Sequence, residues 1–139
     1  MLDECDFIFA KSVSLALIAA FGKSKLLTDS LFYMDADCEP PATEKVKESV
    51  ENDVVECVEY SIYGIKKLLA THDSVEFQNT QEFIALEETL KTLMIVYGLI
   101  ILYSCRGRGR ANHMLAIDVE ERLSDAVDTM LKVIDMIKD

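Results

Sequence analysis

Apolar residues recur at helical spacing along most of the chain, in stretches separated by short polar segments. The most regular stretch runs from Thr43 to about Ala70, where one apolar stripe faces a strongly charged side. Its apolar members are Val46, Val50, Val54, Cys57 or Val58, Ile62, Ile65 and Leu69. Spacings of three and four residues place them on one side of a helix. The pattern therefore predicts a long amphipathic helix that packs against a core.

The first helix is predicted from Asp6 to about Phe21, with Gly22 as its C-terminal stop. Residues 24–34 repeat apolar positions at helical spacing and are expected to continue the helix after a bend. Residues 35–41 (DADCEPP) form a predicted turn, because two adjacent prolines forbid continued helix.

The longest apolar run, from Leu93 to Cys105, contains no charged residue. It belongs to a predicted helix that starts near Asn79, since Asn79 and Glu82 have the spacing of a capping box. Because its second half is almost entirely apolar, we expect neighbouring helices to enclose it. Gly98 within it costs about 1 kcal/mol relative to Ala, which predicts a close helix crossing or a subunit contact.

A last helix is predicted from Asp118, which has a capping-box partner at Glu121, and an apolar stripe continues to Ile137. The chain has 139 residues with five Gly and two Pro, and it lacks the alternating pattern of β-strands. Its length is typical of one domain. The fold class expected is all-α, with residues 1–139 forming a single-domain bundle of four to five helices.

The formal net charge of -11 changes the range of functions that the fold suggests. Such a chain repels a phosphate backbone, so duplex DNA is excluded as a partner. Nine acidic residues between positions 35 and 59 face only two lysines, which indicates either a solvated surface or an acidic docking surface. The candidate docking residues are Glu48, Glu51, Glu56 and Glu59. This helix has no His to complete a carboxylate metal site, so no metal is expected.

The four cysteines are widely spaced, without the pairing of a zinc site or a redox motif, and are expected to be reduced core thiols. Residues 7–21 lack the flanks of a signal peptide, and both apolar runs fall short of the ~20 residues needed to span a bilayer. We therefore predict a cytoplasmic protein without a membrane partner. His72 is expected to be an exposed turn residue without a role.

The segment RGRGRANH, which follows the central helix, concentrates positive charge in an acidic chain. Three of the fourteen basic residues, Arg106, Arg108 and Arg110, lie in its first five positions. They are candidate binding residues for an acidic partner, a phosphate or RNA. The alternative is a cationic loop that only offsets the negative end of the helix dipole.

Within this segment, Arg108 and His113 form an Arg-x4-His pattern before the last apolar stripe. Its spacing and placement resemble HEPN domains, small all-α proteins with such a motif at the start of the last helix, often near a dimer cleft. The resemblance covers the C-terminal quarter and implies metal-independent RNase activity. It assigns charge stabilisation on phosphate to Arg108 and acid or base catalysis to His113, roles that suit both side chains.

The chain has no nucleotide-binding, metalloprotease or serine-hydrolase motif, which favours a non-enzymatic role without a cofactor. The leading hypothesis is an intracellular helical interaction module that binds a protein partner and self-associates. The second is a HEPN-like RNase or a degenerate relative. The third is an acidic inhibitor that covers the basic nucleic-acid groove of another protein.

Overall fold

A computed structural model describes residues 2–28, 41–72, 74–106 and 109–138. They form five helices: α1 (Glu4–Leu27), α2 (Pro41–Thr71), α3 (Val75–Gln78), α4 (Gln81–Arg106) and α5 (Arg110–Lys138). α3 is a single turn, whereas the other helices have 24 to 31 residues. The described ranges contain no strand, and the predicted all-α helical bundle is confirmed.

The long helices run up and down in alternation. An ion pair of 3.3 Å joins Lys23 near the end of α1 to Asp53 early in α2. A hydrogen bond of 2.7 Å joins Ser12 to Tyr60, which lies further along α2. The two helices are therefore antiparallel. Because α1 packs on α2 and α5, and α4 packs on the same two helices, α1 and α4 lie at opposite corners of the bundle.

The core extends along the whole bundle, and all five helices contribute to it. The largest fully buried side chains are Tyr103, Phe77, Leu17, Leu27, Ile65, Leu86, Leu93, Ile100, Leu123 and Met130. Burial of each large apolar side chain stabilises the fold by roughly 1.5–3 kcal/mol relative to exposure. The core therefore fixes the positions of the surface residues discussed below.

α1 begins with a capping box, in which the backbone N–H groups of Asp3 and Asp6 donate to each other's carboxylates. The predicted stop at Gly22 is wrong, because the helix continues without interruption to Leu27. Ser24 and Leu27 are both fully buried after the glycine. Their packing outweighs the cost of about 1 kcal/mol that glycine imposes on a helix.

α2 begins two residues before the predicted Thr43 and ends one residue after Ala70. Residues 29–40 lie outside the described residues, and with them most of the predicted turn and the second half of the segment 24–34. The long amphipathic helix itself is confirmed.

The predicted capping box at the start of the central helix is wrong. Asn79 is the C-cap of α3, and the N–H of Phe83 donates to the side chain of Thr80 over 3.2 Å at the start of α4. Because α3 and its C-cap occupy the residues before Thr80, the N-terminal cap of α4 is Thr80 instead of Asn79. Phe77 of α3 packs edge-on against Phe83, with ring centroids 5.6 Å apart.

α5 begins at Arg110, eight residues before the predicted start. The buried residues in its first turns are Asn112, Ala116 and Val119, at spacings of four and three residues. The side of α5 that faces the core therefore starts at a polar residue, Asn112, before the predicted apolar stripe. Asp118 does not cap the helix; its carboxylate accepts a hydrogen bond of 2.9 Å from Arg122 in the next turn. The segment between α4 and α5 is therefore shorter than predicted.

α1 is the one helix, among the parts of the chain that the structure describes, whose length and mean hydropathy of 1.6 would suffice to cross a membrane. Core helices and N-terminal signal sequences share these properties. In the bundle, α1 places Ala10, Val13, Leu17 and Ala20 in the core.

Candidate functional site

The outward surface of α4 is apolar over its last three turns. Its exposed positions include Met94, Ile95, Gly98, Ile101, Leu102 and Cys105, which we call the α4 face. Between 43% and 53% of each of its four large apolar residues is exposed. The prediction that neighbouring helices enclose this segment is therefore wrong. α4 occupies a corner of the bundle, so its partners cover only its inner side.

An open groove lies beside the α4 face, between α4 and α2. It has a volume of about 350 Å³ and is lined by Glu59, Ile62, Tyr63, Lys66, Met94 and Tyr97. Tyr63 projects from α2 and is 65% exposed. The groove thus extends the apolar surface from α4 onto α2, and an apolar side chain docked in it would contact both helices.

The segment RGRGRANH contains three arginines, and the structure describes the side chain of one of them. Arg110 is exposed at the first position of α5, whereas the Arg106 side chain and the whole of Arg108 lie outside the described residues. His113 is partly buried in the first turn of α5, where its N–H donates to the carbonyl of Gly109 over 3.1 Å. The approach of Arg108 to His113 therefore stays a prediction.

A buried ion pair lies at the same end of the bundle and ties α2 to α4. Nζ of Lys47 lies 2.8 Å from Oε1 of Glu51, and Oγ of Ser104 donates to Oε2 over 3.1 Å. The same Nζ lies 4.6 Å from the ring centroid of Tyr103, within cation–π distance. Lys47 and Glu51 are 3% and 7% exposed. Such burial requires partners for both charges, and α4 supplies part of them.

The sequence did not reveal this pair, because the first turns of α2 also bury positions beside the predicted apolar stripe. Val46 is 52% exposed, whereas Lys47 at the next position is buried. Glu51 consequently does not belong to the exposed acidic surface, which corrects that part of the prediction. The available signal was opposite charges four residues apart, but such pairs are also common on exposed helix surfaces.

The other three predicted acidic residues, Glu48, Glu56 and Glu59, are exposed on α2. Glu59 also lines the groove. No group of three or more His, Cys, Asp or Glu residues that could hold a metal ion occurs in the described ranges. A docking role for the three acidic residues stays a prediction.

His72 has a structural contact that the sequence did not indicate. Its Nε2 lies 2.8 Å from Oδ2 of Asp6, and its ring centroid lies 5.4 Å from that of Phe77. Only 16% of its side chain is exposed, so the prediction of an exposed turn residue is wrong. Asp6 belongs to the capping box of α1. His72 therefore connects the end of α2 to the start of α1.

The cysteines differ in exposure. Cys5 and Cys105 are exposed and Cys57 is partly buried, so the prediction of core thiols is wrong for the first two. Burial, reinforced by the negative charge of Asp53, raises the pKa of the Cys57 thiol. Cys38 lies outside the described residues.

No protein-family model matches the chain, and comparison with curated proteins and with solved structures found no match either. The chemistry and geometry of the surfaces described above are therefore the basis for a functional interpretation.

Proposed function

We propose that the protein is a non-enzymatic helical interaction module that self-associates through the α4 face. The observation that supports this proposal is an uncharged, exposed apolar helix surface beside an apolar groove. Removing apolar surface from water is worth about 25 cal/mol for each Å². Contiguous apolar surface on a folded protein commonly marks an interaction site. A protein partner that covers the α4 face would remove this surface from water and so stabilise the complex.

The charge distribution favours a protein partner over nucleic acid. The net charge of -11 opposes contact with a phosphate backbone, and the α4 face has no cation that could bind phosphate. Glu48, Glu56 and Arg110 are exposed outside the α4 face and its groove, whereas Glu59 lines the groove. In this proposal they set the orientation and specificity of docking, while the apolar residues provide affinity.

The proposed site of action is the cytoplasm. Cys5 and Cys105 are free and exposed, and Cys57 is free as well. Exposed thiols are typical of proteins that work in a reducing compartment, whereas oxidising compartments favour disulfides.

Sedimentation of two matched variants tests the proposal. Ile101 on the α4 face and Leu131 on α5 are both 43% exposed, so replacing either with Glu perturbs the folded monomer to a similar extent. Ile101→Glu places a charge in the proposed interface and should weaken self-association by at least about tenfold, which corresponds to about 1.4 kcal/mol. Leu131→Glu should leave it unchanged. Equal association of both variants would contradict the proposal.

A HEPN-like RNase is the second candidate function, and the position of His113 favours it. The resemblance calls for this His at the start of the last helix, and His113 lies in the first turn of α5. In this alternative, Arg108 would stabilise charge on a phosphate and His113 would transfer a proton. RNA cleavage by the purified protein without metal, lost in His113→Ala with the helical content retained, would establish it. Absence of cleavage by the unmodified chain would reject it.

A further inference from the structure

We infer that the partner of the α4 face is a second copy of this chain, docked with the two α4 helices antiparallel and with both Gly98 residues at the crossing. The inference rests on the proposed self-association and adds the identity and orientation of the partner. Three features of the structure support it: the surroundings of Gly98, the spacing of the α4 face, and the distribution of charge along α4.

Gly98 has no packing role within the monomer. A Cβ placed on it would meet nothing within 4 Å, whereas one placed on Gly64 would lie 2.7 Å from Val13. Glycine in the interior of a helix costs about 1 kcal/mol relative to Ala, so Gly98 weakens α4 without relieving any contact in the bundle. A glycine at a helix crossing lets two backbones approach closely. A second helix against the α4 face gives Gly98 such a function.

The spacing of the exposed residues suits a helix pair. Lys91, Gly98 and Cys105 are seven residues apart and follow one line along the outside of α4. Met94 and Ile101 lie on one side of this line, next to the groove with α2, and Ile95 and Leu102 lie on the other side.

An antiparallel pair with a two-fold axis beside Gly98 makes the two surfaces complementary. Met94 then faces the partner's Ile101, and Ile95 faces the partner's Leu102, as expected for an isologous interface. The partner's Ile101 also reaches the groove beside Met94. Apolar residues are thus matched with apolar residues on both sides of the crossing.

Charge selects the antiparallel orientation over the parallel one. Glu87 and Glu88 are exposed ten or eleven residues before Gly98, about 15 Å from the crossing. The partner's α4 ends about 12 Å beyond the crossing in this orientation, and the exposed Arg110 follows in the next helix. Glu87 and Glu88 of each copy therefore lie toward the partner's Arg110. A parallel pair would instead set Glu87 and Lys91 against their own copies, which is unfavourable.

The outward side of α1 is the competing surface for self-association, because Ile8, Leu15 and Ile18 are also exposed. Exposed Lys11 and Lys25 interrupt this surface, whereas the exposed positions 94 to 105 of α4 contain no charge. Pairing two copies through α1 would place these charged side chains within the contact. The α4 face has no such conflict.

Disulfide trapping tests the orientation. Lys91→Cys introduces a thiol at an exposed position that the antiparallel pair brings next to the partner's Cys105. Mild oxidation should give a covalent dimer, and peptide mapping should identify a bridge between position 91 and position 105. Ile84→Cys is the matched control, because position 84 lies on the same outer line but about 10 Å further along the helix. A disulfide requires Cα atoms within about 7 Å, so this control should form no bridge to Cys105.

Each result has a distinct meaning when sedimentation is measured on the same samples. A bridge from position 91 to Cys105 supports the inference. A bridge between two Cys105 residues indicates a parallel pair, since the antiparallel pair separates them by about 21 Å. That result, or a dimer without either bridge, overturns the inference while self-association stands. A monomer at all concentrations overturns both.

Substitution of glycine tests the crossing itself. Gly98→Leu should weaken the dimer by at least about tenfold, because a side chain would separate the two backbones. Gly22→Leu is the control, since Gly22 is also an exposed helical glycine with nothing within 4 Å of an added Cβ. Both variants should retain the monomer fold. Equal dimerisation of the two would contradict a crossing at Gly98.

Discussion

Gly64 of α2 faces Val13 of α1 so closely that a Cβ on the glycine would lie 2.7 Å from Cγ2 of the valine. The ring of Phe9 would lie 3.5 Å from the same Cβ. This glycine marks the close helix approach that the sequence suggested for Gly98, where nothing lies within 4 Å. The two glycines therefore have different functions, one within the bundle and one, in our proposal, between subunits.

Gly64→Ala should destabilise the protein, although Ala is the better helix former. The added methyl group would force Val13 to move, and overpacking of this kind costs about 1–3 kcal/mol, more than the gain of about 1 kcal/mol in helix propensity. Gly22→Ala, where an added Cβ meets open space, should stabilise the fold by up to about 1 kcal/mol. Urea unfolding of the two variants measures both effects. An increase in stability for Gly64→Ala would show that α1 and α2 adjust freely at this site.

The buried pair of Lys47 and Glu51 should behave differently from an exposed pair. Lys47→Met leaves the Glu51 carboxylate buried without its cation and should cost about 3–5 kcal/mol. The double variant Lys47→Met with Glu51→Leu should recover most of this loss, because no buried charge remains. Lys23→Met removes the cation from the pair with Asp53, in which both side chains are more than 40% exposed, and should cost less than about 1 kcal/mol. Similar losses in Lys47→Met and Lys23→Met would contradict the burial of the first pair.

The N-terminal cap of α1 should make the stability of the protein depend on pH in the acid range. The pKa of Asp3 is lowered, chiefly because its carboxylate accepts a hydrogen bond from the backbone N–H of Asp6. Its contribution to stability is therefore fully present above the unfolded-state pKa of about 3.9 and is lost as pH falls through the lower folded-state pKa. Asp3→Ala should be less stable than the unmodified protein at pH 6, and the difference should shrink in strong acid.

Asp3→Asn is the control for this effect, because Asn caps a helix about as well as Asp but does not ionise. Its stability relative to Asp3→Ala should change little over the same pH range. Thermal unfolding at several pH values provides the comparison. A difference between Asp3→Ala and the unmodified protein that stays constant into strong acid would exclude an ionised cap.

The helices themselves were predictable because apolar periodicity is a local property. The outward side of α4 was not, since Leu93 to Cys105 is almost entirely apolar and contains no charged residue to indicate which side faces water. The interior position of Glu51 was hidden for a related reason. One of its partners, Ser104, is 53 residues away in sequence, and only the fold brings the two together. Arg108 lies outside the described residues, so its approach to His113 stays a prediction from their spacing.

Thiol reactivity should separate the cysteines by environment. Burial raises the pKa of Cys57, so its reactive thiolate should be scarcer than that of an exposed thiol at pH 8. Alkylation followed by peptide mapping should therefore label Cys5 and Cys105 before Cys57. Rapid labelling of Cys57 would show that the packing between α2 and its neighbours opens readily.

The rate of alkylation at Cys105 should depend on protein concentration if the α4 face is the interface. Cys105 belongs to the α4 face and should react more slowly as the protein concentration rises, because association covers it. Cys5 lies at the start of α1 and serves as the internal control, since its rate should not change. Equal slowing at both cysteines would indicate nonspecific association instead.

Sedimentation equilibrium of the unmodified protein tests self-association through α4 most directly. As the concentration increases through the micromolar range, the apparent mass should rise from that of the 15.7-kDa chain toward twice that value. The increase should be reduced in Ile101→Glu and unchanged in Leu131→Glu. A constant mass of one chain over the whole range would rule out self-association through the α4 face.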